Sequence, residues 1–301
     1  MSIASAKMPQ SIDPKHSALP TSRAAELSPT EKNYLHLLKE VLIDIDNAAR
    51  FQLTPYPRGR SNVIKRFLVN KLINTLAKKG LSITGVDPSG IAAREKGLGW
   101  PLNGYSMIGA RRMDNLQHCL EQVIADGVEG DFIETGVWRG GACIFAKAVI
   151  DAYGEDRRVW VADSFEGLPK PNTDLYPEDA GDDLYSLEQL RISLEQVQSN
   201  FERFHLLDER VVFLKGWFKD TLPEAPIEKL AVLRLDGDMY ESTMDGLVHL
   251  YPKLEPGGYL IVDDYGVIPA CRKAVHDYRE RHGIQEPIID IDGSGHFWRK
   301  D

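Results

Sequence analysis

Two stretches of this chain are the most informative about its fold: Leu230-Ala-Val-Leu-Arg-Leu-Asp236 and Tyr259-Leu-Ile-Val-Asp-Asp264. Each is a short apolar run, the pattern expected of a buried strand, and each ends directly in carboxylates. In open α/β sheets, ligands bind at the edge formed by the carboxyl ends of the strands. The sequence therefore predicts that three acidic side chains meet at this edge: Asp236, Asp263 and Asp264.

The chemistry of these carboxylates favours a metal ion. Three converging negative charges repel one another unless a cation or a proton compensates them. Mg²⁺ binds one or two carboxylates and keeps water molecules that a substrate can displace. The structural alternative is that Asp236 and Asp238 cap a helix while Asp263 and Asp264 form a turn. Zinc is disfavoured, because none of the eight histidines stands in an H-E-x-x-H or H-x-E pattern.

Strand-like and helix-like segments alternate outward from these stretches. Strands are predicted at 131–134, 159–162, 211–214, 230–235 and 259–262, with a closing antiparallel hairpin of 287–291 and 296–299. Helices are predicted up to Gly127 and over 141–153, 187–204, 243–254 and 270–282, and Pro256-Gly-Gly258 is predicted as a turn. This alternation predicts an α/β fold with a mainly parallel sheet covered on both faces.

A glycine-rich turn follows the first predicted strand. Its sequence, Glu134-Thr-Gly136-Val-Trp-Arg-Gly140-Gly141, lets the backbone approach a ligand at the start of the next helix. The spacing G-x-x-x-G-G differs from the dinucleotide pattern G-x-G-x-x-G, so a nicotinamide cofactor is disfavoured. Together with the acids, this turn suggests a metal-assisted group-transfer enzyme with a nucleoside cofactor.

Two further strand ends are candidates for the cofactor site. Asp163 follows the second strand, where an acidic residue can bind ribose hydroxyls, although a cap for the turn 164–169 explains it equally well. Gly216-Trp217-Phe218 follows the third strand, and Trp217 is a candidate cover for an adenine ring. The alternative is that Trp217 belongs to the hydrophobic core, as large aromatic residues usually do.

The first third of the chain is organised differently. Residues 1–27 lack hydrophobic periodicity and are predicted to be disordered. Ser28-Pro-Thr-Glu31 has the form of a capping box and starts a helix, and a second helix is predicted from Asn62 to Lys79. Residues 81–106 are loop-rich, and a stretch of that length often forms a lid. We therefore divide the chain into a tail (1–27), a helical and lid section (28–106) and the α/β domain (107–301).

Basic residues cluster around the second of these helices. They are Arg58, Arg60, Lys65, Arg66, Lys71, Lys78 and Lys79. In an acidic protein such a cluster is a candidate docking site for an anionic partner, but a solvated helix face is the favoured interpretation.

Composition narrows the possible partners. The chain has 301 residues, 43% of them hydrophobic and 27% charged, which is ordinary for a globular protein. The net charge of −9 and the pI near 5.5 argue against nucleic acid as a partner. No apolar run reaches the roughly 20 residues of a membrane span, so no membrane partner is expected. The three cysteines are scattered and the N-terminus lacks a signal-peptide core, so we expect a reduced, cytoplasmic location.

Four motifs resemble the macrocin O-methyltransferase family. They are Glu134-Thr-Gly-Val-Trp-Arg-Gly-Gly141, Asp163-Ser-Phe-Glu-Gly-Leu-Pro169, Leu235-Asp-Gly-Asp-Met-Tyr-Glu-Ser-Thr243 and Pro256-Gly-Gly-Tyr-Leu-Ile-Val-Asp-Asp-Tyr265. They occur in the family's order, and the resemblance extends from about Met107 to Trp298. Members methylate deoxysugar hydroxyls on macrolides and on the noviose of aminocoumarins. The resemblance therefore implies a small-molecule glycoside as acceptor.

The resemblance also implies a Rossmann-like, seven-stranded class I methyltransferase sheet, S-adenosylmethionine as methyl donor and Mg²⁺ as metal. Carried over by motif, Asp236, Asp263 and Asp264 are the metal ligands, and Asp236 is also the general base. The residues expected at the donor site are Ser106, Met107, Glu134, Thr135, Gly136, Val137, Trp138, Asp163, Ser164, Gly216, Trp217 and Phe218. Of these, Ser106 and Met107 would close over the methionine end of the donor. We also expect a homo-oligomer.

One position separates this chain from the catechol methyltransferases, which share the metal geometry. They place a lysine base three residues after the first metal aspartate, where this chain has Met239. We therefore expect Asp236 to act as the general base. A catechol or phenol methyltransferase remains the alternative enzyme. A non-catalytic S-adenosylmethionine-binding protein is the alternative of another class, although such a protein need not keep all three acids.

Overall fold

The computed structural model of the protein describes residues 26–52, 63–86 and 90–301. Most of the predicted tail lies outside these ranges, as do the predicted break at 54–59, Arg58, Arg60 and Asn62. The helices of the described residues are α1 (Pro29–Leu42), α2 (Val63–Ala77), α3 (Gly90–Glu95), α4 (Gly109–Ala125), α5 (Gly141–Ala152), α6 (Leu194–Arg203), α7 (Phe218–Thr221), α8 (Tyr240–Leu250) and α9 (Pro269–His282). The strands are β1 (Arg50–Gln52), β2 (Thr84–Val86), β3 (Trp100–Pro101), β4 (Asp131–Thr135), β5 (Val159–Asp163), β6 (Val211–Lys215), β7 (Leu230–Leu235), β8 (Leu254–Val262), β9 (Ile289–Asp290) and β10 (His296–Arg299).

Seven of these strands form one sheet, in the order β6-β5-β4-β7-β8-β10-β9. Strands β4 to β8 pair in parallel, whereas β10 is antiparallel to both of its neighbours. The predicted seven-stranded, mostly parallel sheet with a closing antiparallel hairpin is confirmed. The chain moves outward from β4 to β6 and then returns to β7, so a topological switch point lies between β4 and β7. Ligands of open α/β sheets bind at such a point.

The pairing register brings the predicted site residues to one edge of the sheet. Thr135 of β4 lies opposite Leu235 of β7, and Leu235 lies opposite Val262 of β8. The residues that follow these three are Gly136, Asp236 and Asp263. The glycine-rich turn and the acids therefore lie side by side, as the strand-end argument predicts.

Helices cover both faces of the sheet. On one face, α1, α4 and α5 contribute Leu35, Leu116 and Ile144 to a buried core. On the other face, α8 and α9 contribute Leu247 and Val275 to a second core. Both cores are apolar because the central strands are largely buried, and β7 is buried at every position. This rigid support holds the loops at the carboxyl edge.

The N-terminal section is attached to the sheet by α1. The predicted capping box is present, since the Ser28 side chain accepts from the Glu31 amide and the Glu31 carboxylate accepts from the Ser28 amide. The carbonyl of Leu42, at the end of α1, accepts from the amides of Tyr105 and Ser106. Leu27, which the sequence places in the disordered tail, is buried in the core instead. An apolar residue directly before the N-cap can pack onto the helix that follows, and this explains why Leu27 is buried.

Several element boundaries differ from the sequence prediction. The predicted helix 187–204 is shortened to α6, because Glu188–Leu190 form a 3-10 turn. The turn predicted at Pro256-Gly-Gly258 lies inside β8, where the pairing with β7 shifts register between Leu230 and Val232. Such a bulge absorbs glycine and proline without ending the strand. The stretch 81–106 contains β2, α3 and β3, elements too short to show a period.

Candidate active site

The glycine-rich turn and the acidic loop touch one another at the sheet edge. Gly136 has a φ of +85°, and a Cβ at this position would overlap the carbonyl oxygen of Asp236. The amide of Asp236 donates to the carbonyl of Thr135 at 2.9 Å, and the amide of Asp263 donates to the carbonyl of Leu235 at 2.9 Å. Only glycine combines the positive φ with the missing side chain, which explains its place in the turn.

Three predicted metal ligands converge at this edge. Asp236, Asp263 and Asp264 each offer a carboxylate oxygen, and these oxygens lie within 4.8 Å of one another. Asp263 and Asp264 are buried, and Asp236 is partly buried. Asp264 also accepts a hydrogen bond from the amide of Asp238 at 3.1 Å. The predicted convergence is therefore present in the structure.

Two arginines that the sequence argument overlooked contact these acids. Arg234 donates to Asp236 at 2.8 Å and also pairs with Glu134 and Asp263. Arg112 pairs with Asp263 from the side of α4. The sequence did contain a sign of these pairs, because Arg234 is a charged residue within an otherwise apolar strand. An arginine is almost never buried unless it is paired with an acid.

These arginines offset only part of the negative charge. Glu134, Asp236, Asp263 and Asp264 bring four carboxylates, and the two guanidinium groups compensate at most two of them. Burial and the nearby Asp263 raise the pKa of Asp236 well above its usual value, although Arg234 opposes this shift. Burial and the nearby Asp238 likewise raise the pKa of Asp264. The cluster therefore favours a proton or a further cation.

The acids line a cavity of about 670 Å³. The glycine-rich turn and the ends of β5 and β6 line the same cavity, and we call their part of it the predicted donor side. Eleven of the twelve residues predicted at the donor site line this cavity: Ser106, Met107, Glu134, Gly136, Val137, Trp138, Asp163, Ser164, Gly216, Trp217 and Phe218. Thr135 does not line it, whereas Glu134, the preceding residue of β4, does. Neighbouring residues of a strand point to opposite faces of the sheet. The motif assigned all of its residues to the donor site and did not distinguish the two faces.

Asp163 organises the loops around it. Its carboxylate accepts from the amide of Val137 at 2.8 Å and from the amide of Phe165 at 2.8 Å. Burial raises the pKa of Asp163, and these backbone hydrogen bonds oppose the shift. The carbonyl of Asp163 also accepts from the amide of Gly216 at 2.9 Å. The capping role left open by the sequence is therefore present, and it links three loops that line the cavity.

Two tryptophans line the cavity on the predicted donor side. Trp217 is only partly buried and contacts this space, so it does not belong to the core. Trp138 has a φ of 47°, which is unusual for a residue other than glycine. Its indole donates to the carbonyl of Gln189 at 2.9 Å and fixes the loop before α6.

A segment at the end of the N-terminal section lines the cavity. We call residues 96–108 the cover segment. Its carbonyl at Tyr105 accepts from the amide of Gly141 at 2.9 Å, and a Cβ on Gly141 would lie 2.5 Å from that carbonyl oxygen. Ser106 and Met107 follow directly and line the cavity. The lid predicted within 81–106 thus lies against the start of α5.

The model of the macrocin-O-methyltransferase (TylF) family matches residues 31–300. This chain belongs to that family. The match assigns it to the S-adenosylmethionine-dependent O-methyltransferases, the enzyme class predicted from the sequence. It also includes α1 and the N-terminal section, where the sequence resemblance alone gave no usable motif.

Relatives and solved structures agree with the family. Mycinamicin III 3''-O-methyltransferase of Micromonospora griseorubida is 57% identical over 212 residues, which cover 69% of this chain and 83% of the relative. Demethyldecarbamoylnovobiocin O-methyltransferase of Streptomyces niveus is 51% identical over 212 residues, covering 69% and 80%. The structure of the O-methyltransferase NovP has a TM-score of 0.75 and 41% identity, and covers 90% of this chain and 99% of that chain. The calicheamicin methyltransferase CalS11, at 19% identity and a TM-score of 0.51, shares the fold.

Met239 occupies the position at which the catechol methyltransferases have a lysine base. Its side chain is fully buried at the start of α8.

No helix in the described ranges of this macrocin-type methyltransferase is both long and apolar enough to pass through a membrane.

Proposed function

We propose that the protein transfers a methyl group from S-adenosylmethionine to a hydroxyl of a sugar on a glycosylated natural product, with Mg²⁺ at the acidic cluster. One observation carries the proposal: a single cavity joins the glycine-rich turn to the carboxylates. The relatives named for mycinamicin III and for demethyldecarbamoylnovobiocin support a glycosylated acceptor.

The acidic cluster fits a hard divalent cation. Its donor atoms are carboxylate oxygens within 4.8 Å of one another, and Mg²⁺ prefers oxygen ligands. Asp236, Asp263 and Asp264 would hold the ion. Although Asp263 already pairs with two arginines, a carboxylate oxygen has two lone pairs and can accept a second partner. The negative charge left over by the arginines also favours a cation.

The residues on the predicted donor side of the cavity fit a nucleoside with a sulfonium group. Asp163 would accept from the ribose hydroxyls, and Trp217 offers an aromatic surface for the adenine ring. Ser106 and Met107 would cover the methionine end.

The acceptor hydroxyl needs a base, because it holds its proton tightly at neutral pH. Bound Mg²⁺ would lower the pKa of a coordinated hydroxyl and orient a vicinal diol. Asp236 would take the proton, a role typically worth about 10²- to 10⁴-fold in rate. The cover segment would exclude water from the reacting groups.

Asp238 is a second candidate for the base. It lines the same cavity, and its φ of 58° shows that the loop holds it in a backbone conformation that aspartate seldom adopts. Asp236 already pairs with Arg234 at 2.8 Å, and a metal ion would add a second positive neighbour. Both partners favour the ionised form of Asp236 and lower its affinity for a proton.

A methyl-transfer screen tests the proposed function. The full-length enzyme is incubated with S-adenosylmethionine and Mg²⁺, together with glycosides bearing free vicinal diols, their aglycones, or a catechol. Mass spectrometry should detect methylation of the glycosides on the sugar and none of the aglycones. Methylation of catechol without any glycoside product would instead favour the catechol alternative, despite the buried Met239.

A further inference from the structure

Arg112 joins three parts of the protein that are far apart in sequence. Its guanidinium pairs with Asp263 of the acidic cluster and with Asp292, whose carboxylate oxygen lies 3.1 Å away. It also lies 3.5 Å from the carbonyl oxygen of Lys96, the first residue of the cover segment. The side chain is only 7% exposed, so these contacts are made away from water.

Asp292 extends the contact to the closing hairpin. Its other carboxylate oxygen accepts from the amides of Ser294 and Gly295 at 3.0 Å and forms the turn before β10. The hydroxyl of Ser294 donates to the backbone carbonyl of Asp263 at 3.1 Å. The hairpin turn and Arg112 therefore hold Asp263 at its backbone and at its carboxylate.

Two glycines enclose the Arg112 side chain. A Cβ on Gly97, in the cover segment, would overlap the Nη2 atom of Arg112. A Cβ on Gly295, in the hairpin turn, would lie 2.7 Å from the Cδ atom of Arg112. Gly109, the first residue of α4, packs so closely that a Cβ there would overlap the amide of Gly97. This packing leaves no space for a side chain on either side of the arginine.

We propose that Arg112 is a positioning residue that clamps the cover segment and the hairpin turn onto Asp263. Arg112 makes its contacts from α4, a rigid helix of the core, so Asp263 and the cover segment share one anchor. The cover segment contributes Ser106 and Met107 to the cavity, and Asp263 lines the same cavity as part of the acidic cluster. Arg112 thereby fixes the cover segment relative to the acidic cluster. Its consequences for turnover rest on the proposed function, whereas its consequences for the order of the cover segment do not.

Hydrogen exchange of the full-length protein, without donor or metal, tests the clamp. In Arg112→Met, exchange over residues 96–108 should be at least about tenfold faster than in the wild type, because local opening is no longer opposed by buried ion pairs. The control is Arg111→Met, which removes the same charge from an exposed neighbour on the same helix. Arg112→Lys should recover part of the protection, since it keeps the charge but not the planar fork. Equal exchange in Arg112→Met and Arg111→Met would overturn the proposal.

A second variant approaches the clamp from the cover segment, in case Arg112→Met does not fold. Gly97→Ala should also accelerate exchange over 96–108, because its Cβ would overlap Nη2 of Arg112 and would lie 2.5 Å from the carbonyl oxygen of Ile108, so that residue 97 must move away from both. Gly80→Ala is the matched control, since Gly80 has a similar φ of +70° but no atom within 4 Å of its Cβ. Unchanged exchange in Gly97→Ala would contradict the clamp.

Turnover separates positioning from metal occupancy. With saturating donor and Mg²⁺, kcat of Arg112→Met should fall at least about tenfold while the half-saturating Mg²⁺ concentration changes less than about threefold. Recovery of the full rate at high Mg²⁺ would show that Arg112 acts on metal occupancy and would overturn the positioning role. If the wild type neither binds nor transfers, the proposed function fails, but the exchange result still decides whether the clamp exists.

Discussion

The guanidinium of Arg234 donates to the carboxylate of Asp236 at 2.8 Å, across only two positions of the chain. Arg234 lies in β7 and Asp236 directly follows the strand. Residues two apart on an extended segment lie on the same face, so both groups reach one side of the sheet. The candidate metal ligand thus carries a buried positive partner of its own. This pair makes the acids tolerable in the metal-free protein and raises the question of which aspartate takes the acceptor's proton.

Removing Arg234 should destabilise the metal-free protein. Arg234→Met leaves Glu134, Asp236 and Asp263 without their shared cation, and the free energy of unfolding should fall by about 3–5 kcal/mol. Mg²⁺ should restore part of this loss, because it supplies the missing positive charge. Denaturant titration with and without Mg²⁺ measures both effects, and Lys215→Met, at an exposed strand end, is the control. If Arg234→Met lowers the free energy of unfolding equally with and without Mg²⁺, the role of Arg234 in stability is independent of the metal site.

The general base should be identified by comparing Asp236→Asn with Asp238→Asn. The variant that lacks the base should lose at least about 10²-fold in turnover, with donor affinity nearly unchanged. If Asp236 is the base, raising Mg²⁺ should not rescue Asp236→Asn, whereas it should partly rescue the ligand variant Asp264→Asn. Recovery of the wild-type rate by Asp236→Asn at high Mg²⁺, together with a dead Asp238→Asn, would transfer the role to Asp238.

Donor binding should depend on Asp163. Asp163→Ala removes a carboxylate proposed to accept from the ribose and should weaken S-adenosylmethionine binding by about 1–3 kcal/mol in calorimetry. The same change removes the acceptor for the amides of Val137 and Phe165, so thermal unfolding must be recorded in parallel. Unchanged donor affinity in a folded variant would leave Asp163 with its loop-capping role alone.

An ion-pair network away from the site should give stability a defined pH dependence. Burial raises the pKa of Asp208, but hydrogen bonds from Lys147 and Arg210 outweigh it and lower the pKa to about 2. A carboxyl with a lowered pKa stabilises the fold above its unfolded pKa, and this contribution is lost as pH falls toward the folded value. Asp208→Asn should therefore cost about 1–2 kcal/mol at pH 7, after allowance for its partial exposure, and progressively less between about pH 4 and 2.

Denaturant titrations across this pH range measure the difference between Asp208→Asn and the wild type. Asp156→Asn, at an exposed position nearby in sequence, is the control and should show little effect at any pH. A constant difference between pH 7 and 2 would contradict the account of Asp208.

The sequence predicted those parts of the site that follow from strand ends. Asp236 and Asp263 were placed together because parallel strands end at one edge, and the register of β7 and β8 confirms this. The contacts of Arg112 were not predictable in the same way, because they join residues 151 and 180 positions apart. Local pattern contains no information on such pairs. The stretch 81–106 was predicted as a lid from its length, but the hydrogen bonds that attach Tyr105 and Ser106 to Leu42 of α1 depend on tertiary packing.

Methyl transfer should require a divalent cation at Asp236, Asp263 and Asp264. The experiment is an assay of chelator-stripped enzyme with S-adenosylmethionine and an accepted glycoside, while Mg²⁺ is added back. We expect no turnover in the stripped enzyme, full recovery with Mg²⁺, and a higher Mg²⁺ requirement for Asp264→Asn. Full turnover after complete removal of divalent cations would contradict this requirement.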